Sequence, residues 1–130
     1  MIFRICPVMF VIKSWAINHK LSGRDSNRKE IISSYAVILL VIFYFQHEQI
    51  LPSVKALQAN MESKDSVVIS KYGKNIETGF PKDISLWTRC CLSKKNKTMA
   101  DFVHGFFQFY AKFDYEKCTV SPNSGMYKLR

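Results

Sequence analysis

The sequence is poor in acidic residues, with 10 Asp and Glu against 19 Lys and Arg in a chain of 130 residues. The formal net charge of +9 favours phosphate-bearing partners, through Coulomb attraction and through the counterions that such a contact releases. The basic residues are spread along the chain, apart from a local cluster at Lys94, Lys95 and Lys97. Charge alone leaves a nucleic-acid surface and an ordinary basic, solvated surface as equal alternatives.

Metal-binding patterns are missing from the sequence. The four cysteines form no CxxC pair, and no two histidines lie at ligand spacing. Adjacent Cys90 and Cys91 point in different directions on most backbones, which disfavours a shared metal. The sequence therefore predicts no metal site, and it predicts reduced thiols in a reducing compartment, which we expect to be the cytoplasm.

A membrane-spanning run is missing as well. The apolar run AVILLVIFYF, from Ala36 to Phe45, is shorter than the roughly 20 residues that a helix needs to cross a bilayer. It predicts instead a helix that is buried on nearly all sides. At the start of the chain, Pro7 interrupts a second apolar stretch and no small-residue cleavage site follows it, which disfavours a secretory signal. We expect no membrane partner.

Apolar periodicity predicts four helices. The first runs from Ile2 to about Asn18, and the second from about Ile31 to His47, after a capping pair formed by Asn27 and Glu30. A third, short helix is predicted from Pro52 to Asn60. The fourth follows a capping pair of Thr98 and Asp101, and it places four phenylalanines on one face: Phe102, Phe106, Phe109 and Phe113.

Residues 61–97 carry a weaker pattern, dominated by Lys, Ser, Asn, Gly and Pro. They predict a long loop with one or two short extended pieces. A loop of this length is unusual inside a compact domain, which indicates that the segment normally lies on another surface.

Three separated segments together resemble one family. They are RICPVMFVIKSWA (Arg4 to Ala16), SSYAVILLVIFYFQ (Ser33 to Gln46) followed by ILP (Ile50 to Pro52), and NKTMADFVHGFFQFYAKFDYEK (Asn96 to Lys117). Their order and spacing are similar to those of the terminal RNA nucleotidyltransferases, the cytoplasmic poly(A) polymerases and terminal uridylyltransferases. The resemblance implies a mainly α fold, the helical central domain of a DNA-polymerase-β-like nucleotidyltransferase.

The resemblance also divides the chain into three parts. Residues 1–60 would be the central helical segment beside the nucleotide cleft, 61–97 a loop or linker, and 98–130 the start of the poly(A)-polymerase-associated segment.

The nucleotide-binding residues that the resemblance implies are Lys13, Ser34 and Tyr35. In the family, a lysine at the position of Lys13 approaches the triphosphate, where an ammonium group offsets phosphate charge. A serine at the position of Ser34 donates a hydrogen bond there, and a tyrosine at the position of Tyr35 stacks on the base. Each residue also has an ordinary structural interpretation: a snorkelling lysine, a residue of a helix first turn, and a packed aromatic.

The sequence departs from the family pattern in two places. Ile17 stands where uridylyltransferases often carry a second lysine, and Glu30 with Ile31 replaces the Gly-Thr that precedes the Ser-Ser-Tyr motif. The family's catalytic Gly-Ser motif and Asp trio, which hold two Mg²⁺ (or Mn²⁺) ions, have no counterpart in this sequence. The pair Asp114 and Glu116 is interpreted as surface charge. No catalytic or metal-binding residue is therefore predicted in this chain.

The expected function is that of the helical part of an enzyme that adds UMP or AMP, from UTP or ATP, to RNA 3′ ends. Its partners would be the RNA 3′ end, the nucleoside triphosphate and a catalytic sheet domain supplied by upstream sequence. The alternative is a non-catalytic module of the same family that binds RNA, nucleotide or another protein. A small membrane protein, suggested only by the apolar run, is a third hypothesis.

Overall fold

A computed structural model of the protein describes residues 2–23, 31–59, 61–82, 97–125 and 128–129. In this part of the chain the fold is mainly α, as the sequence predicts. The helices are α1 (Ile2–Asn18), α2 (Ser34–His47), α3 (Val54–Ala59) and α4 (Met99–Ala111), with a 3-10 turn at Ser63–Asp65. Two antiparallel ribbons accompany them: β1 (Val68–Lys71) with β2 (Lys74–Glu77), and β3 (Cys118–Thr119) with β4 (Lys128–Leu129).

The bounds predicted for α1 are confirmed. Its core face carries Ile5, Val8, Ile12 and Ala16, which are buried and recur at the three- and four-residue spacing of a helix. Pro7 lies within the helix, toward its N-terminal end. These apolar side chains pack against α2 and α4, so one core joins the two ends of the sequence.

Helix α2 is the most deeply buried element of the described structure, as its apolar run predicts. Val41, Phe43, Tyr44 and Phe45 are buried almost completely. In the described residues, no helix is long and apolar enough to span a membrane.

The predicted start of α2 is three residues too early. The helix begins at Ser34, because the Oγ of Ser33 accepts a hydrogen bond from the N–H of Ala36 at 3.1 Å and caps the first turn. Ile32 is extended and donates its N–H to the carbonyl of Leu21 at 3.0 Å. The capping pair predicted at Asn27 and Glu30 lies outside the described residues.

Helix α3 is shorter than its predicted range of 52–60. It starts at Val54 because the Oγ of Ser53 accepts from the N–H of Ala56 at 3.1 Å. Gln58, near the end of α3, donates from its side chain to the carbonyls of Glu77 and Gly79 at 3.0 and 3.2 Å. These two bonds attach the β1–β2 ribbon to α3.

The β1–β2 ribbon lies in the segment predicted as a loop with short extended pieces. Its register pairs Val68 with Glu77 and Lys71 with Lys74, so only two residues form the turn. All of its side chains are exposed or half-buried, which is why no apolar alternation marks it as a sheet in the sequence. Residues 83–96, which complete the predicted loop, lie outside the described residues.

Helix α4 starts with the capping box that the sequence predicts. Thr98 Oγ1 accepts from the N–H of Asp101 at 3.2 Å, and Asp101 accepts from the N–H of Thr98 at 2.8 Å. The bonds from Thr98 lower the pKa of the Asp101 carboxyl. Phe102 and Phe106 are buried against α2, while Phe113 lies beyond the end of the helix.

Gly105 lets α4 approach α2 closely. A Cβ at this position would overlap the hydroxyl of Tyr44, whose ring packs edge-on against Phe106 with centroids 5.9 Å apart. In the described structure, the buried Tyr44 hydroxyl has no hydrogen-bond partner. Burial, together with the charge of Glu48, raises the pKa of Tyr44 to about 12.

We predict that Gly105→Ala lowers the free energy of unfolding. Overpacking typically costs about 1–3 kcal/mol, which outweighs a helix-propensity gain of up to about 1 kcal/mol. Tyr44→Phe removes the overlapping oxygen, so it should rescue much of the loss in the double variant. Urea denaturation of the four proteins measures this coupling. Additive effects would contradict the contact.

We also predict that stability depends on the ionisation of Tyr44 at alkaline pH. The pKa of Tyr44 is higher in the folded chain than the value of about 10 for an unfolded tyrosine, so folding favours the neutral hydroxyl. The contribution of this hydroxyl to the free energy of unfolding is therefore complete below about pH 10. That stabilisation should fall as pH rises from 10 toward about 12. The wild type should therefore lose stability relative to Tyr44→Phe between pH 9 and about 11.5 in matched urea titrations. Parallel losses in the two proteins would contradict the assignment.

Candidate functional site

The first turn of α2 carries two of the three residues singled out by the sequence. Ser34 is its first helical residue and Tyr35 its second, so their backbone N–H groups belong to the set that has no acceptor within a helix. The N-cap is provided by Ser33, and no acidic residue lies in the turn. The positive end of the helix dipole is therefore not offset by a local carboxylate of the turn.

The side chain of Ser34 contacts Ser22, a residue that no pattern in the sequence singles out. Its Oγ lies 3.3 Å from the Oγ of Ser22, which is 5% exposed. Ser22 is itself fixed, because its N–H donates to the carbonyl of Ala16 at 3.2 Å. Nothing in the polar sequence around Ser22 distinguishes it from its neighbours.

Tyr35 points into solvent. Its side chain is 71% exposed, and its ring contacts no other aromatic ring in the described part of the chain. A tyrosine used for packing would be covered, as Tyr44 is nine residues later in the same helix. The exposed ring is geometrically free to stack on a planar ligand.

Lys13 lies on α1, five residues before the helix ends, and is half-buried. Leu21 follows the end of α1 and bonds to Ile32 just before α2, so the last turns of α1 and the first turn of α2 lie at the same end of the helix pair. Within the described residues, Lys13 forms no hydrogen bond or ion pair with Ser34 or Tyr35. The structure thus places Ser34 and Tyr35 together in one turn, and Lys13 on the neighbouring helix without a contact to either.

Ile17, one turn after Lys13 on α1, is 45% exposed. An exposed aliphatic side chain therefore occupies the position where some family members carry a second cation. The other departure from the family pattern, Glu30, lies outside the described residues, and Ile31 is half-buried.

The carboxylate of Asp114, just after α4, is engaged in local structure. Asp114 Oδ1 accepts from the N–H groups of Glu116 and Lys117 at 3.1 Å each, and its Oδ2 lies 3.5 Å from Lys117 Nζ. The carboxylate therefore stabilises a turn, in agreement with its interpretation as surface charge. Among the described residues, no group of three His, Cys, Asp or Glu side chains could hold a metal ion.

Comparison with known proteins identifies relatives along the chain. Residues 98–130 match the family model described as Cid1 family poly A polymerase, PAP_assoc. The chain is 31% identical to "Speckle targeted PIP5K1A-regulated poly(A) polymerase" of Danio rerio, over 94% of this chain and 15% of the relative. It is 30% identical to "Poly(A) RNA polymerase, mitochondrial" of Drosophila melanogaster, over 94% of this chain and 19% of that protein.

The fold is found in a solved structure as well. The crystal structure of mtPAP in complex with ATPgammaS superposes with a TM-score of 0.81 at 23% identity, over 98% of this chain and 26% of that chain. This chain thus spans about a fifth of the length of its curated relatives. Matches in sequence and in fold agree, and the chain belongs to the terminal nucleotidyltransferase family with a poly(A)-polymerase-associated domain.

Proposed function

We propose that this chain is the helical part of an enzyme that adds nucleotides to the 3′ end of RNA. The observation that carries the proposal is its similarity, along 94% of its length, to proteins named poly(A) polymerases. Those names favour AMP over UMP as the transferred nucleotide. The basic net charge of +9 suits an RNA substrate. A cytoplasmic location is part of this proposal.

The proposed nucleotide contact is the end of the helix pair formed by α1 and α2. The ring of Tyr35, 71% exposed, would stack on the base of the nucleoside triphosphate. The hydroxyl of Ser34 and the N–H groups of the α2 first turn are donors suited to phosphate oxygens. Lys13 would add a positive charge from α1. The mtPAP structure, which shares this fold, was solved with the ATP analogue ATPgammaS.

The catalytic metals would be held elsewhere in the enzyme. Family catalysis uses Mg²⁺ or Mn²⁺, yet the described carboxylates do not form a suitable ligand set, and Asp114 is committed to a turn. This chain would bind and orient the nucleotide, while the sheet domain would supply the ligands that position the metals.

Helix α1 offers a surface for that sheet domain. Phe10, Val11 and Ile17 are 71%, 42% and 45% exposed, and Phe10 and Ile17 lie on the face turned away from the core. Exposed apolar side chains on one helix face are typical of an interaction surface. We propose that the sheet domain packs here and closes the nucleotide cleft.

A non-catalytic module is the second candidate. It is favoured by Ile17, which supplies no second cation one turn beyond Lys13. Such a module would bind RNA or nucleotide without contributing to transfer.

Tyr35→Ala should weaken ATP binding by about 1–3 kcal/mol if the ring stacks on the base. Tyr35→Phe keeps the stacking surface and should bind nearly as well as the wild type. Titration with a fluorescent ATP analogue, with circular dichroism as a check of folding, measures both variants. Equal affinity of Tyr35→Ala and the wild type would mean that the ring does not contact nucleotide.

Mixing this chain with the separately expressed sheet domain of a related poly(A) polymerase should restore 3′-end extension of an RNA primer in the presence of ATP and Mg²⁺. Phe10→Glu should abolish assembly, because it places a charge in the proposed apolar contact. Met99→Glu, at the partly exposed start of α4, is the matched control and should assemble normally. A folded complex that extends no primer with ATP or UTP would favour the non-catalytic module.

A further inference from the structure

The turn between β1 and β2 combines two lysines and a tyrosine at one exposed tip. Lys71 and Lys74 lie directly opposite each other in the ribbon, and Tyr72 and Gly73 form the turn between them. The φ angles of Tyr72 and Gly73 are 53° and 71°, as a type I′ turn requires. We name these four residues, Lys71 to Lys74, the hairpin tip.

Three features of the hairpin tip work against stability. Tyr72 occupies a left-handed backbone position that Asn or Gly adopts at lower cost. Its side chain is 91% exposed, so its ring gains almost nothing from packing. Like charges that face each other across a ribbon also repel. The sequence of the tip is therefore better explained by a ligand than by the folded chain alone.

The positive charge of the tip is not offset by the carboxylate of its own ribbon. Glu77 points toward the base of the ribbon, where it accepts hydrogen bonds from Ser66 Oγ, from Val67 N–H at 2.8 Å and from Gly79 N–H at 2.7 Å. These bonds lower the pKa of Glu77. In the described part of the chain, neither Lys71 nor Lys74 forms an ion pair.

The tip is carried on a fixed base. Gln58 of α3 holds the carbonyls of Glu77 and Gly79, and Thr78 donates its N–H to the carbonyl of Val67 at 2.8 Å. Beside this base, the buried Asp65 accepts from the N–H of Lys82 at 3.2 Å. The ribbon therefore holds its basic and aromatic groups in a defined position relative to α3.

We propose that the hairpin tip binds single-stranded RNA, with Lys71 and Lys74 on successive phosphates and the Tyr72 ring stacked on a base. The Nζ of Lys71 lies 5.4 Å from the centroid of that ring. A cation for the phosphate and a stacking surface for the base of one nucleotide are therefore adjacent. This inference rests on the proposed function, to which it adds an RNA contact separate from the nucleotide site.

A protein strand is a weaker candidate for the same ribbon. It would pair with a backbone edge of β1 or β2, where the exposed Val68 and Ile76 lie. That pairing would make no use of the exposed ring of Tyr72 or of the two lysines at the turn. The chemistry of the tip itself matches a nucleic acid.

The test is fluorescence anisotropy of a labelled single-stranded RNA with this chain, over a range of salt concentrations. Tyr72→Asn suits the turn better than tyrosine, so it preserves the ribbon while removing the ring, and it should weaken binding about tenfold. Lys71→Gln with Lys74→Gln should reduce the slope of log K against log salt by about 1.4, the value for two phosphates of a single strand. The control is Lys55→Gln with Lys112→Gln, which removes the same charge at two other exposed lysines and should leave the slope unchanged.

Unchanged affinity of Tyr72→Asn, or an equal effect of the control pair, would overturn the proposal. Dimers of the chain that appear in sedimentation and that the tip variants disrupt, with RNA binding intact, would assign the ribbon to a protein contact and overturn it as well. ATP titration without RNA separates this proposal from the nucleotide site. Tyr72→Asn should bind ATP normally, whereas failure of the proposed function would appear as ATP binding that is insensitive to Tyr35→Ala.

Discussion

The C-terminal half of α2 is buried between α1 and α4, and this packing fixes the positions of the three helices relative to one another. Phe43, Tyr44 and Phe45 are almost completely buried, and the Tyr110 hydroxyl of α4 donates to the carbonyl of Leu40 at 2.6 Å. Such a helix cannot rotate or slide without opening the core, because close-packed side chains leave few voids. The direction in which its first turn points is fixed by packing at its other end.

This arrangement separates a rigid half of α2 from a half that is available for binding. Toward its C-terminus, the buried Gln46 side chain donates to the carbonyls of Pro52 and Pro122 at 3.1 and 2.9 Å, which ties the end of the chain to the core. At its N-terminus, Ser34 contacts Ser22 and Tyr35 lies in solvent. A first turn that is fixed in position and exposed to solvent is suited to ligand binding, because its binding groups are already in place before the ligand arrives.

The sequence predicts those features that depend on local chemistry. The bounds of α1 and the capping box of α4 follow from apolar spacing and from Thr98 with Asp101, and both are confirmed. The start of α2 does not follow, because Ile31 and Ile32 are further apolar residues ahead of the run, and the bond from Ile32 to Leu21 joins residues that are distant in the sequence. The sequence does not reveal the Ser22–Ser34 contact, because it joins residues that are distant along the chain. It does not reveal the hairpin tip either, because the ribbon has no buried apolar face.

We propose that the first turn of α2, with Lys13, contacts a nucleoside triphosphate. The most direct measurement is a titration of the ¹⁵N-labelled chain with ATP, followed through the backbone amide resonances. We expect saturable shifts concentrated at Lys13, Ser34 and Tyr35, with the hairpin tip unaffected. Shifts centred elsewhere, for example on the cavity of about 320 Å³ lined by His47, Phe109 and Asp114, would contradict it, as would the absence of any saturable shift.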